Sequence, residues 1–220
     1  MKAKTTIQDG LLRFEVDQDI LKLIDKKLGS VQADSRKILK NAVNATAKQA
    51  RTDLVNKARE EYVAKKKPLN DNTKIKPRAT ASNPTATINV TGEVLELKQF
   101  KATAPKSGAK AQILTGGSLK LIQSKHGTRA KAFLATFSSG HQAIVQRQDG
   151  KTYKSAEGRS KRQEKYGRHA DMTQIKKLLS VSAPKMIGDE RRVLGILRPK
   201  IYDNLMENIQ REIDKVVSSA

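Results

Sequence analysis

The residues with catalytic or metal-binding potential are few. His126, His141 and His169 stand in loop-like contexts. None has a Glu, Asp or second His at metal-ligand spacing, and neither H-x-x-x-H nor H-E-x-x-H occurs. The chain has no cysteine, which excludes thiol nucleophiles, disulfides and zinc–thiolate sites. No G-x-S-x-G is present, and Gly116-Gly117-Ser118 followed by Lys120 has the residue types of a phosphate cradle without the spacing of a P-loop. The adjacent carboxylates Glu60-Glu61 fall near an expected helix C-terminus, and Asp189-Glu190 near an N-terminus where the helix dipole favours them. Nothing forms a general acid–base pair. The sequence therefore reads as non-enzymatic, with no cofactor and no metal.

Charge is the stronger signal. Across 220 residues, 44 Lys and Arg face 22 acids, a net +22. Such an excess favours a polyanion partner, whether nucleic acid or an acidic protein surface. It is uneven: residues 98–169 hold 16 Lys or Arg against 3 acids, a net +13 in a third of the chain. The densest stretch carries Arg147, Lys151, Lys154, Arg159, Lys161, Arg162, Lys165 and Arg168, with Tyr153 and Tyr166 interleaved. These eight cations are the candidate DNA- or partner-binding residues. Phosphate contacts from them would be independent of sequence and sensitive to salt. No base-reading helix signature accompanies them. An arm docking on an acidic protein ring and a merely solvated loop are the competing readings.

These residues need a scaffold. Apolar residues make up 37% of the chain and aromatics 4%, with no Trp, so the core is lean and burial against partners or further copies is expected. Ile20, Leu21, Leu23, Ile24 and Leu28 recur at helical steps, with Asp17 or Asp19 as cap. A long helix is predicted over 33–64, with a stripe through Ile38, Leu39, Ala42, Val43, Thr46, Ala50, Leu54, Ala58 and Tyr62 and an end before Pro68. Beyond it the period falls to two, giving strands near 73–76, 85–90, 111–114, 133–137 and 143–145, and Leu11–Phe14 also has strand character. A final helix, capped by Asp189, carries Leu194, Leu197, Ile201, Leu205, Ile209, Ile213 and Val216, with a kink or break expected near 195–199. The class is α+β: long N-terminal helices, a central antiparallel β-sheet with basic hairpins and loops, and a long C-terminal amphipathic helix. One domain over 1–220 is expected, with a helical part at 15–66, a β part at 70–147, a basic mobile loop at 148–172 and a C-terminal helical part at 180–218. No signal peptide and no membrane span is expected.

Three ordered blocks carry a resemblance. The first runs from Ala50-Arg51 through Ala58-Arg59-Glu60-Glu61-Tyr62 to Ile75-Lys76-Pro77-Arg78-Ala79 and Thr85-Ala86-Thr87-Ile88. The second is Leu95-Glu96-Leu97-Lys98-Gln99-Phe100, a basic hairpin, then Ala132-Phe133-Leu134-Ala135-Thr136-Phe137-Ser138-Ser139-Gly140-His141. The third is Leu179-Ser180-Val181-Ser182-Ala183-Pro184-Lys185-Met186-Ile187-Gly188 and the helix after it. Together, over roughly 38–217, they resemble the minor tail protein Z family, tail completion proteins of long-tailed phages. The charged excursion at 148–172 is longer than the family pattern. The resemblance implies a structural virion component that acts late, joining head to tail at the head-proximal end. It also implies a homo-oligomer, a ring of six by analogy with tail symmetry, next to tail terminator, tail tube or connector proteins, with genomic DNA within reach of phosphate contacts. Its location would be the virion tail or neck, and the host cytoplasm during assembly. A free, sequence-independent nucleic-acid-binding protein is the alternative.

Overall fold

The four-residue steps between apolar side chains produce the longest helix. In the computed structural model, which describes residues 4–8, 11–15, 22, 26, 35–122, 131–153 and 156–219, helix α1 spans Ser35–Glu61. It buries Ile38, Leu39, Ala42, Val43, Thr46, Ala47, Ala50, Leu54, Val55 and Ala58 along one face. Of the helix expected around Ile20–Leu28 only Lys22 and Lys26 are described, both helical, and its Asp17 or Asp19 cap and His126 lie outside the described residues. A short helix α2 (Lys66–Asn72) follows, with Pro68 in its first turn, where a missing N–H costs nothing.

The chain forms two compact units, residues 1–93 with 181–220 and residues 94–180. In the first, strands β1 (Lys4–Gln8), β2 (Leu11–Glu15), β3 (Thr73–Ile75) and β4 (Ala86–Val90) make an antiparallel sheet in the order β1-β2-β4-β3. The last helices are α4 (Ala183–Ile187) and α5 (Leu194–Ser219). Leu205, Ile209 and Ile213 of α5 share a core with Ile38, Leu39, Ala42, Val43 and Ala47 of α1 and with Ala79 and Ala86. The alanines let α5 approach closely. Inside this seam, Asn208 donates to the Thr46 hydroxyl at 3.0 Å, and that hydroxyl donates to the Ala42 carbonyl at 2.8 Å. Asn41 donates to Glu212 at 2.9 Å across the same pair.

The break expected near 195–199 is absent, because α5 begins at Leu194 and runs on through Pro199. Gly195 serves a close approach instead: a Cβ there would overlap the Glu190 backbone oxygen. Asp189 does cap this entry, accepting from the backbone N–H groups of Arg191 at 2.9 Å and Arg192 at 3.0 Å. Its other oxygen takes the Tyr62 hydroxyl at 2.5 Å and the Arg192 guanidinium at 3.1 Å. The Tyr62 bond, with further donation from Arg192, brings the Asp189 carboxyl to about 2 although partial burial opposes this. Burial, then the bond to Asp189, pushes the Tyr62 phenol to about 12.

In the second unit, the strands are β5 (Val94–Glu96), β6 (Lys101–Thr103), β7 (Lys110–Gln112), β8 (Lys120–Leu121), β9 (Phe133–Thr136), β10 (Gln142–Thr152) and β11 (Thr173–Lys177), while β12 (Leu179–Ser182) pairs with β5. They form antiparallel sheets β6-β7-β8 and β11-β10-β9 rather than the one central sheet expected. A separate small core of Leu97, Ala109, Ala132 and Ile144, lined by Ala102, Ala111, Ile122 and Leu178, explains why this segment closes on itself. Its loop is also different from the expectation. Within 148–172, β10 continues to Thr152 and helix α3 occupies Ala156–Tyr166. This helix has no aliphatic stripe. It holds through good helix formers, the Glu157–Lys161 pair four residues apart, and Arg159 donating to the Tyr153 carbonyl at 3.0 Å.

Candidate polyanion interface

Strand alternation and helical pitch bring one set of side chains together in the second unit. Phe133 and Phe137 stand four residues apart at the β9 end of a hairpin, so an extended chain sends both to one face. The turn closes through Gly140 at φ 77°, whose N–H reaches the Phe137 carbonyl at 2.9 Å. Arg147 projects from the neighbouring β10 and Ile175 from β11. Helix α3 supplies Lys161, Arg162, Lys165 and Tyr166 at steps of one turn. Together with Tyr153, His169 and Asp171 these line a cleft of about 820 Å³.

The cations in this cleft are held in fixed orientations. Arg147 lies 5.4 Å from the Phe133 ring, pairs with Asp171 at 2.8 Å through Nε, and reaches the Thr173 carbonyl through Nη1. The Arg162 guanidinium sits 5.3 Å from each of the Tyr153 and Tyr166 rings and donates to the Asp171 carbonyl at 2.9 Å. Lys165 lies 5.4 Å from Tyr166. Cation–π contacts of this kind keep a positive plane against an aromatic plane. Hydrogen bonding from Thr173, followed by the charges of Arg147 and Arg162, holds the Asp171 carboxyl below its ordinary range. Its side chain is paired with Arg147.

Of the eight candidate cations, the structure brings Arg147, Lys161, Arg162 and Lys165 into this cleft. Lys161 is also paired with Glu157. Arg159, Lys151 and Arg168 are exposed and do not line it, and Lys154 lies outside the described residues. The aromatic lining from Phe133 and Phe137 was not singled out as a site in the sequence. Their even spacing beside a basic run was the available signal.

The other candidates resolve into structural roles. His141 bonds Glu96 at 2.9 Å, Lys177 reaches the same carboxylate at 3.1 Å, and Lys177 lies over Phe137. Burial raises the Glu96 carboxyl, but hydrogen bonds from Lys177 and His141 outweigh it and bring it below normal. The Gly117 N–H closes a turn on the Leu114 carbonyl, and the run borders an apolar groove that also includes Leu97 and Leu121. Glu61 pairs with Lys57 at 2.8 Å and Glu190 with Arg198 at 2.6 Å. Among the described residues no three His, Cys, Asp or Glu side chains converge as a metal site, and no helix is long and apolar enough to cross a membrane.

A second basic cleft, of about 680 Å³, lies in the first unit, with Lys48, Arg51, Lys74 and Arg78 and no acid among the described residues of its lining. Arg51 is fixed there by the Thr73 carbonyl at 2.6 Å and the Asn70 carbonyl at 2.9 Å. Asn44 exchanges two hydrogen bonds with the Ala79 backbone beside it. These cations come from segments some thirty residues apart, and only the fold joins them. Compared with known proteins, the chain matches no family model, no curated protein and no solved structure.

Proposed function

We propose that this chain is a structural, non-enzymatic component of a phage tail, working at its head-proximal end in tail completion and head–tail joining. In this reading it acts as a homo-oligomer, a ring next to tail terminator, tail tube or connector proteins, and its basic cleft holds a polyanion, the genomic DNA in the lumen. The observation that carries the binding part is the cleft of Arg147, Lys161, Arg162 and Lys165, which gathers four candidate cations on one concave surface. Fixed guanidinium planes suit phosphate recognition. The virion part rests on the three-block resemblance.

The alternative is a free nucleic-acid-binding protein using the same cleft. Mass spectrometry of purified particles separates the two. A stoichiometric copy number per particle supports the structural reading, whereas absence from particles with abundance in the infected cell supports the alternative.

A further inference from the structure

The chain is poor in aromatic residues: four Phe, four Tyr and no Trp. Half of these eight, Phe133, Phe137, Tyr153 and Tyr166, line the basic cleft of the second unit. None of the four is buried, and Tyr166 is 58% exposed. Among the described residues one aromatic of that unit, Phe100, is buried, and its small core cluster is otherwise made of Leu, Ile and Ala. Phe133, Phe137, Tyr153 and Tyr166 stay outside it.

Phosphates alone would require only the cations. Rings are useful where a ligand offers flat apolar faces between its charges. Duplex DNA hides its base faces in the stack and presents phosphates and groove edges. A single strand exposes both bases and phosphates, and base-on-aromatic stacking beside a basic groove is the common chemistry of single-strand binding. An acidic peptide would satisfy the cations but offer no flat face to stack on the rings.

We infer that this cleft takes single-stranded nucleic acid, with bases stacked on the exposed face of Tyr166 and on the Phe133–Phe137 wall and phosphates on Lys161, Lys165 and Arg162. Arg162, layered between Tyr153 and Tyr166, sets the spacing of the planes. The inference rests on the proposed polyanion contact and narrows it. It holds whether the strand is met inside a virion or free.

The test uses the full chain and three probes at one salt concentration: a labelled twelve-nucleotide oligothymidine, a duplex of the same length, and poly-glutamate. Anisotropy should show the single strand binding at least about tenfold more tightly than the duplex. Tyr166→Ala should lose about tenfold for the single strand with no change for the duplex, and Tyr166→Phe should keep wild-type affinity. Two of the four tyrosines line the cleft and there is no Trp, so quenching of intrinsic tyrosine emission by the oligomer gives a second readout. Equal binding of duplex and single strand with a silent Tyr166→Ala overturns the inference while the polyanion contact stands. Preference for poly-glutamate overturns both the inference and the DNA contact in favour of an acidic protein partner. Binding of none of the three removes the polyanion reading itself.

Discussion

Replacing Asp189 by Asn tests whether one carboxylate locks the end of α1 to the entry of α5. In the native protein its oxygens accept from the Tyr62 hydroxyl, the Arg191 and Arg192 backbone N–H groups and the Arg192 guanidinium. Bringing a carboxyl from 3.8 to about 2 is worth ~2 kcal/mol. Solvent reaches part of the site, so screening reduces the expected loss for Asp189→Asn to ~1–2 kcal/mol at pH 7. The folded value is depressed, so this stability is complete above about pH 4 and is lost as pH falls from there through about 2. About half should remain at pH 3. Urea unfolding of both proteins from pH 7 to pH 3, in enough salt to mute the net charge, measures it. The two stabilities should converge as the acid limit is approached. A difference that is absent at pH 7, or constant across the range, would refute the assigned role of the charge.

The Tyr62 phenol supplies the alkaline counterpart. Its folded value is raised from 10 to about 12, so its contribution is present below pH 10 and lost as pH rises through 12, and Tyr62→Phe should flatten that limb of the stability profile. Leu205 is 3% exposed in the α1–α5 seam, so Leu205→Asp places an unpaired charge there. This costs ~4 kcal/mol or more, enough to give an unfolded or aggregated product by circular dichroism and gel filtration; a soluble, normally assembled variant would contradict the helix packing. Nucleic-acid binding should weaken with salt at a logarithmic slope of ~2, as expected if Lys161, Arg162 and Lys165 neutralise phosphates on a single strand, and a flat salt titration would count against the interface.

Helices α1 and α5 were legible because their stripes repeat at four-residue steps and end up buried against each other. The β4 and β9–β10 strands were legible from Thr and branched residues bounded by Gly and Pro. Helix α3 was not, since Ala156–Tyr166 has almost no aliphatic side chain and periodicity has nothing to act on. Its order comes from Arg159, Arg162 and the Glu157–Lys161 pair, contacts that depend on partners placed by β10 and the 167–172 turn. The second unit escaped notice for a similar reason: its core rests on Leu97 and Ile144 with small alanines, too sparse a pattern to mark a boundary. For the candidate site, the basic run contains the four cations that line the cleft. Which cations share a cleft, and that Phe133 and Phe137 join them, depends on the β9–β10–α3 geometry.

The central claim is that this chain completes a tail at its head-proximal end, and its most direct test is electron microscopy of lysates with a parallel infectivity count, for a phage carrying the gene and the same phage with it deleted. The account predicts intact heads and tails that fail to join, or joined particles that do not infect. Normal, fully infectious particles in the absence of the protein would contradict it.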